Sequence, residues 1–201
     1  MRKIALLLLL SLLPAESLAE SVTLAKPFSA LIYNPGQLQA TDSTLKVAPG
    51  ELAPDFALPS IRGGTVTLSD YRGKHNVVLS FVPAAWTPVC SAQWPGYNIS
   101  QTYFSANDAV LIGITVDNVA ALHAWTTEMG GLWFEVLSDF WPHGRVADSY
   151  GLLRGDGMAE RALVFIDKHG VIAAIEVSDI NTRPPLKTLV TGLQGLSSGR
   201  R

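Results

Sequence analysis

Apolar and polar positions along the chain fall into short blocks of different period rather than one sustained repeat. Residues 76–82 and 109–116 are short, mostly apolar, β-branched runs, the pattern of strands buried on both faces. Residues 161–166 and 171–177 flank Asp167-Lys168-His169-Gly170, which predicts an antiparallel hairpin. Earlier, Asp55-Phe56-Ala57-Leu58 and Thr65-Val66-Thr67-Leu68 flank Arg62-Gly63-Gly64 and predict a smaller N-terminal β-hairpin. Helices are predicted from Thr87 to about Phe104 with a bend at Pro95-Gly96, over 118–129, over 144–150 with Gly151 as the stop, and after Pro184-Pro185. Val136-Leu137 is a short extended piece between them. This order predicts an α/β fold, a central mixed β-sheet flanked by helices.

The ends read differently. Arg2 and Lys3 precede an apolar run over 4–13 broken only by Ser11, and Ser17-Leu18-Ala19 supplies small residues where a signal peptidase reads. Residues 1–19 are therefore expected to be an export signal cleaved before Glu20, placing the protein in the periplasm or outside the cell. The run is short of the ~20 residues of a spanning helix, and no cysteine follows it for lipidation, so no stable membrane insertion is expected after cleavage. Residues 20–45 form an arm without a sustained period, with one strand expected at 29–33 and no readable function. The domain is expected over 46–196, and 197–201 as a polar tail.

A chain of 201 residues, 48% hydrophobic and 16% charged, supplies one core and excludes a disordered tail or a large multidomain enzyme. Its net charge is −2, and loss of Arg2, Lys3 and Glu16 with the signal makes it −3. That balance carries no footprint for nucleic acid or anionic lipid. The four histidines lack ligand spacing and one cysteine cannot build a zinc site, so no metal is expected. Gly63-Gly64 and Gly130-Gly131 lack a phosphate or dinucleotide fingerprint, so no cofactor is expected either. His143 alone, in the Phe-Trp-Pro-His-Gly loop, is placed to border a pocket, and Trp125, Trp133 and Trp141 read as core or rim aromatics.

Cys90 is the single cysteine, so an exported chain can form no internal disulfide. In Thr87-Pro88-Val89-Cys90, threonine suits the helix N-cap and proline the first helical position. Cys90 then falls in the first turn, where free amides and the positive end of the helix dipole favour a thiolate. The same four residues also describe an ordinary capped helix with a packed thiol. Two features favour chemistry. The helix starts at the carboxyl end of a buried strand, where α/β sheets place their crevices, and Pro83 can wall off water there.

Phe81-Val82-Pro83-Ala84-Ala85-Trp86-Thr87-Pro88-Val89-Cys90 resembles the P-x-x-x-T-x-x-C motif of the peroxiredoxins, the AhpC/TSA family, with its preceding strand. Glu160-Arg161-Ala162-Leu163-Val164-Phe165-Ile166-Asp167, followed by Gly170, resembles the later strand that carries the family's arginine. Asp55-Phe56 after Ala53-Pro54 resembles the family's first strand, and Ser138-Asp139-Phe140-Trp141-Pro142-His143-Gly144 the one-cysteine AhpE-type branch. The likeness spans about 46–180. It implies a thioredoxin-like fold, Cys90 as peroxidatic nucleophile, Thr87 contacting the peroxide, Pro83 shielding the pocket and Arg161 holding the reacting atoms. It further implies a peroxide substrate, an external thiol or thioredoxin-like reductant, and a second copy of the chain as a candidate partner in a homodimer. The arm and Trp94-Pro95 depart from the pattern.

Two other functions compete. A thiol-disulfide oxidoreductase of the same fold would need W-C-x-x-C, and Thr87 stands where its first cysteine belongs. The second is a catalytically silent binding module that kept the fold; Arg161 taken by itself would read as a surface partner of Glu160 or Asp179 at a strand start.

Overall fold

A computed structural model describes residues 27–198. The expected export signal at 1–19, the start of the arm at 20–26 and the end of the tail at 199–201 lie outside the described residues. A two-stranded antiparallel hairpin of β1 (Ala57–Pro59) and β2 (Thr65–Thr67) precedes the main sheet. That sheet comprises β3 (Asn76–Phe81), β4 (Ala109–Thr115), β5 (Glu135–Ser138), β6 (Arg161–Ile166) and β7 (Ile172–Ser178), in the order β5-β4-β3-β6-β7. β3, β4 and β5 run parallel, while β6 is antiparallel to both β3 and β7, so the sheet is mixed.

Every residue of β3 and β6 is buried, which explains their largely apolar sequences, broken only by Asn76, Ser80 and Arg161. Alternate side chains of β3 enter two cores. Val77, Leu79 and Phe81 pack with the hairpin residues Phe56 and Leu58 and with Tyr150 of α4 (Arg145–Tyr150). Val78 faces the other core, with Trp94 of α1 (Pro88–Gly96), Phe104 of α2 (Gln101–Ala106), Trp125 of α3 (Val119–Glu128) and Leu189 and Leu193 of α5 (Leu186–Ser198). Trp94, like Trp125, is a large and fully buried residue of this second core. Its indole donates to Ser80 Oγ at 3.1 Å, and a Cβ at Gly113 would stand 2.7 Å from its ring. The thioredoxin-like α/β architecture expected from the element order is therefore present, N-terminal hairpin included.

Three local expectations differ. Residues 29–33 form no strand: Phe28–Leu31 is a 3-10 turn. An apolar run becomes a strand only where a sheet edge offers it a ladder, and Tyr33 instead places one backbone N–H on the Trp86 carbonyl at 2.8 Å. The helix from Thr87 is broken rather than bent. Pro95 has no N–H to give to the preceding turn, α1 stops at Gly96, and a 3-10 turn at Asn98–Ser100 restarts the chain into α2. Ser197 and Ser198 belong to α5 rather than to a free tail, and the Ser197 hydroxyl donates to Asn107 Oδ1.

Candidate active site

The β3–β6 register pairs Phe81 with Ala162, which sets Arg161 beside the end of β3, where the chain turns through Pro83 into α1. The turn is tightly held. Asp117 Oδ2 accepts the Ala85 amide at 2.8 Å, and Trp86 adopts a positive φ of 60°, unusual for a residue of its size. Thr87 is the N-cap of α1 and Pro88 its first helical residue, so Cys90 occupies the third position. The first helical bond runs from the Ser91 amide to the Thr87 carbonyl at 3.0 Å, so the amides of Val89 and Cys90 precede the ladder. The Thr87 hydroxyl does not cap the helix. It donates to the Ala84 carbonyl at 2.8 Å, which fixes its rotamer and leaves its lone pairs for another donor.

Cys90 is 1% exposed, and the Arg161 Nη2–H group lies 3.5 Å from its sulfur. Arg161 is equally buried at 1%. Its remaining donors go to neutral oxygens: Nε and Nη2 to the Ile180 carbonyl at 3.2 and 2.9 Å, and Nη1 to Gln93 Oε1 at 2.5 Å. Gln93 in turn donates from Nε2 to the Tyr97 hydroxyl at 3.0 Å. Burial pushes the Tyr97 phenol up to about 12, so it stays neutral at any physiological pH and adds no negative charge near the guanidinium.

The partners weighed for Arg161 in the sequence are engaged elsewhere. Glu160 Oε2 takes Arg154 Nη1 at 3.0 Å in a buried ion pair, and Asp179 Oδ1 accepts the Asn181 amide. Among the described residues no carboxylate forms an ion pair with Arg161. The two buried arginines thus differ sharply. Arg154 has Asp156 and Glu160, whereas Arg161 has a carbonyl, an amide oxygen and a sulfur. A buried cation is normally compensated by an anion; the Asp179 carboxyl senses the charge of Arg161 without pairing with it, and the group in contact with the guanidinium is the Cys90 sulfur.

A cavity of about 430 Å³ opens beside this cluster, lined by Pro83, Thr87, Pro88, Val89, Met158, Arg161, Ile180, Asn181 and residues 34–38 of the arm. Arg161 is its one formally charged lining residue and also touches the sulfur, which lies one layer inside the wall. His143 does not border it; its Nε2–H donates to the Gly157 carbonyl at 2.7 Å. Trp125 is a core residue, Trp133 is half-buried and Trp141 is 81% exposed.

Thr87, Arg161 and Pro83 thus line one cavity, and Cys90, which does not line it, touches Arg161 from behind its wall. Gln93 and the Ile180 carbonyl, which hold Arg161 in place, and the arm, which walls the cavity, are further residues of the site. Gln93 stands three residues after Cys90, a spacing that puts both on one helix face and signals a shared environment. Ile180 acts through its backbone, and backbone roles leave no mark in side-chain identity.

The chain matches the AhpC/TSA family over residues 49–175. It is 36% identical over 129 residues to alkyl hydroperoxide reductase E of Mycobacterium tuberculosis, covering 64% of this chain and 84% of the relative. It is 32% identical over 158 residues to a chloroplastic 2-cysteine peroxiredoxin of Chattonella marina var. antiqua, covering 72% of this chain and 80% of the relative. In fold it resembles the solved structure of Mycobacterium tuberculosis AhpC, with a TM-score of 0.70, 20% identity, and coverage of 77% of this chain and 95% of that one.

Proposed function

The chain belongs to the AhpC/TSA family of peroxiredoxins, thiol peroxidases, and from that premise we propose that it is an exported one-cysteine peroxidase acting on hydrogen peroxide or alkyl hydroperoxides through Cys90. The observation that carries this reading is the buried Arg161, which has no carboxylate partner among the described residues and stands 3.5 Å from the chain's single thiol at the start of a helix. Peroxiredoxins act on peroxides with thiol reductants and commonly form dimers.

The thiolate of Cys90 attacks the nearer peroxide oxygen along the O–O axis. An S–O bond forms as the O–O bond breaks, leaving a sulfenic acid on Cys90 and an alkoxide or hydroxide that takes a proton to become alcohol or water. Sulfur is oxidised and the peroxide reduced by two electrons. The forked guanidinium of Arg161 faces both the sulfur and the cavity, so it donates to the oxygen on which charge accumulates. The Thr87 hydroxyl, anchored on Ala84, accepts from the peroxide O–H and aligns it, while Pro83 keeps water from the sulfur.

With no second cysteine in the chain, the sulfenic acid is returned by external thiols. The first condenses with it to a mixed disulfide and water, and the second exchanges to release a disulfide and regenerate Cys90. A low-molecular-weight thiol or a thioredoxin-like protein of the same compartment fits that role. Purified protein should consume about one equivalent of peroxide and stop, resuming on addition of a thiol, and further peroxide should carry Cys90 to the irreversible sulfinic acid. Continued turnover without reductant would overturn the one-cysteine mechanism.

Export rests on the pattern of residues 1–19. Protein recovered from the periplasm or medium should begin at Glu20 on intact-mass measurement, and protein retained in the cytosol with 1–19 attached would refute this part of the reading.

A further inference from the structure

Residues 28–42 precede the stretch matched to the family, yet they are tied to the supports of the catalytic cluster. Phe28 packs on Trp86 with ring centroids 6.0 Å apart, and the Tyr33 amide donates to the Trp86 carbonyl, so the arm holds the residue just before Thr87 in its positive-φ turn. Asn181 clasps Leu38 on both sides, its Oδ1 accepting the Leu38 amide and its Nδ2 donating to the Leu38 carbonyl, each at 2.9 Å. The Ile180 amide donates to the Ala40 carbonyl at 3.1 Å, while the Ile180 carbonyl on the same residue holds Arg161. Further along, Arg154 Nη2 donates to the Gln39 carbonyl and the Asp42 amide to Glu160 Oε1, so the buried ion pair also anchors the arm. Bonds spread from Trp86 to Glu160 make this stretch a fixed wall rather than a loose end.

That wall gives the cavity its size. A volume of about 430 Å³ lies in the range of small-molecule sites. Hydrogen peroxide, roughly two waters at about 30 Å³ each, would fill a small part of it. Pro35 and Leu38 of the arm line the cavity together with the apolar residues Pro83, Val89 and Met158. The polar groups of the arm wall, Asn34 and Gln37, are neutral amides, and the cavity's single formal charge is Arg161, which also contacts the Cys90 sulfur.

We propose that residues 34–38 are a specificity-determining wall of the Cys90 pocket, forming with Val89 and Met158 a subsite for the uncharged organic group of a hydroperoxide. This rests on the peroxidase reading above and assigns to the arm the part of the substrate beyond the O–O bond. When sulfur takes the nearer oxygen, the alkoxide carrying that group remains against Leu38, is protonated to the alcohol and leaves through the cavity mouth. Apolar contact with Leu38 favours organic over hydrogen peroxide by keeping the O–O bond aligned on Arg161 and Thr87.

The test measures single-turnover oxidation of Cys90 by stopped-flow fluorescence, with cumene hydroperoxide and hydrogen peroxide, in the parent, Leu38→Trp and Leu38→Ala. The backbone of Leu38 is what Asn181 holds, so both substitutions keep the clasp. Leu38→Trp occupies the subsite and should lower the cumene-to-hydrogen-peroxide ratio of rate constants at least tenfold. Leu38→Ala removes apolar contact and should lower the same ratio several-fold. A ratio within twofold of the parent in both variants overturns the proposal, as does a parallel fall with both peroxides. Failure of the parent chain to react with either peroxide would instead strike the peroxidase reading itself.

Discussion

Replacing Cys90 by serine is expected to abolish peroxide consumption while the protein still unfolds cooperatively close to the parent temperature. The two side chains are nearly equal in size, and the site is buried, so the packing of Trp94 and Val82 around it is kept. The serine hydroxyl can still accept the Arg161 Nη2–H that now faces sulfur at 3.5 Å, which limits the destabilisation to about 1 kcal/mol. Its chemistry does not survive. A hydroxyl remains un-ionised where a thiol yields a thiolate, and no neighbouring base is placed to take its proton: Gln93 and Tyr97 are neutral, and the Thr87 hydroxyl donates to Ala84. The rate should fall by at least about a thousandfold, roughly 4 kcal/mol in activation free energy. Peroxide loss followed continuously with excess thiol, beside a thermal melt, separates the two effects. A serine variant that still turns over peroxide would place the nucleophile elsewhere.

Legibility in the sequence followed the locality of the forces. β3, β4 and β6 were readable because a strand buried on both faces is apolar at most of its positions, the buried polar exceptions such as Ser80 and Arg161 being hydrogen-bonded. The start of α1 was readable because proline after an N-cap residue is a local, steric signal. The use of Thr87 was not, since the choice between capping its own helix and donating back to Ala84 depends on how the turn at Trp86 is held, and Tyr33 and Asp117 hold it from distant elements. The arm failed to read for the same reason on a larger scale. Its bonds go to Arg154, Glu160, Ile180 and Asn181, more than a hundred residues away, and most of them engage its backbone, so residue type along 28–42 carries little of the pattern. A β-prone stretch at 29–33 then suggested a strand that has no sheet edge to join. Glu160, weighed only as an alternative partner for Arg161, is excluded because adjacency in a strand means opposite faces: Glu160 turns to Arg154, and Arg161 to Cys90.

Those opposite faces also define what a cation at position 161 must do. Arg161→Lys keeps the charge, but an ammonium on a single stem cannot reach the Ile180 carbonyl, Gln93 Oε1 and the Cys90 sulfur together, as the planar fork does. Whichever acceptor the lysine chooses, another loses its donor, and the strongly hydrated ammonium is poorly suited to a site 1% exposed. The parent arginine is preorganised by Gln93 and Ile180 before peroxide arrives, so the donor meets the leaving oxygen without reorganisation. Losing that should slow Cys90 oxidation by tenfold to about a hundredfold, roughly 1.4 to 2.7 kcal/mol. The loss should fall on the rate with every peroxide alike, because Arg161 acts on the O–O bond common to all of them. Stopped-flow rates with hydrogen peroxide and cumene hydroperoxide, together with a denaturant melt to confirm folding, provide the measurement. A folded lysine variant that reacts as fast as the parent would make Arg161 a structural residue and remove the central support for catalysis at Cys90.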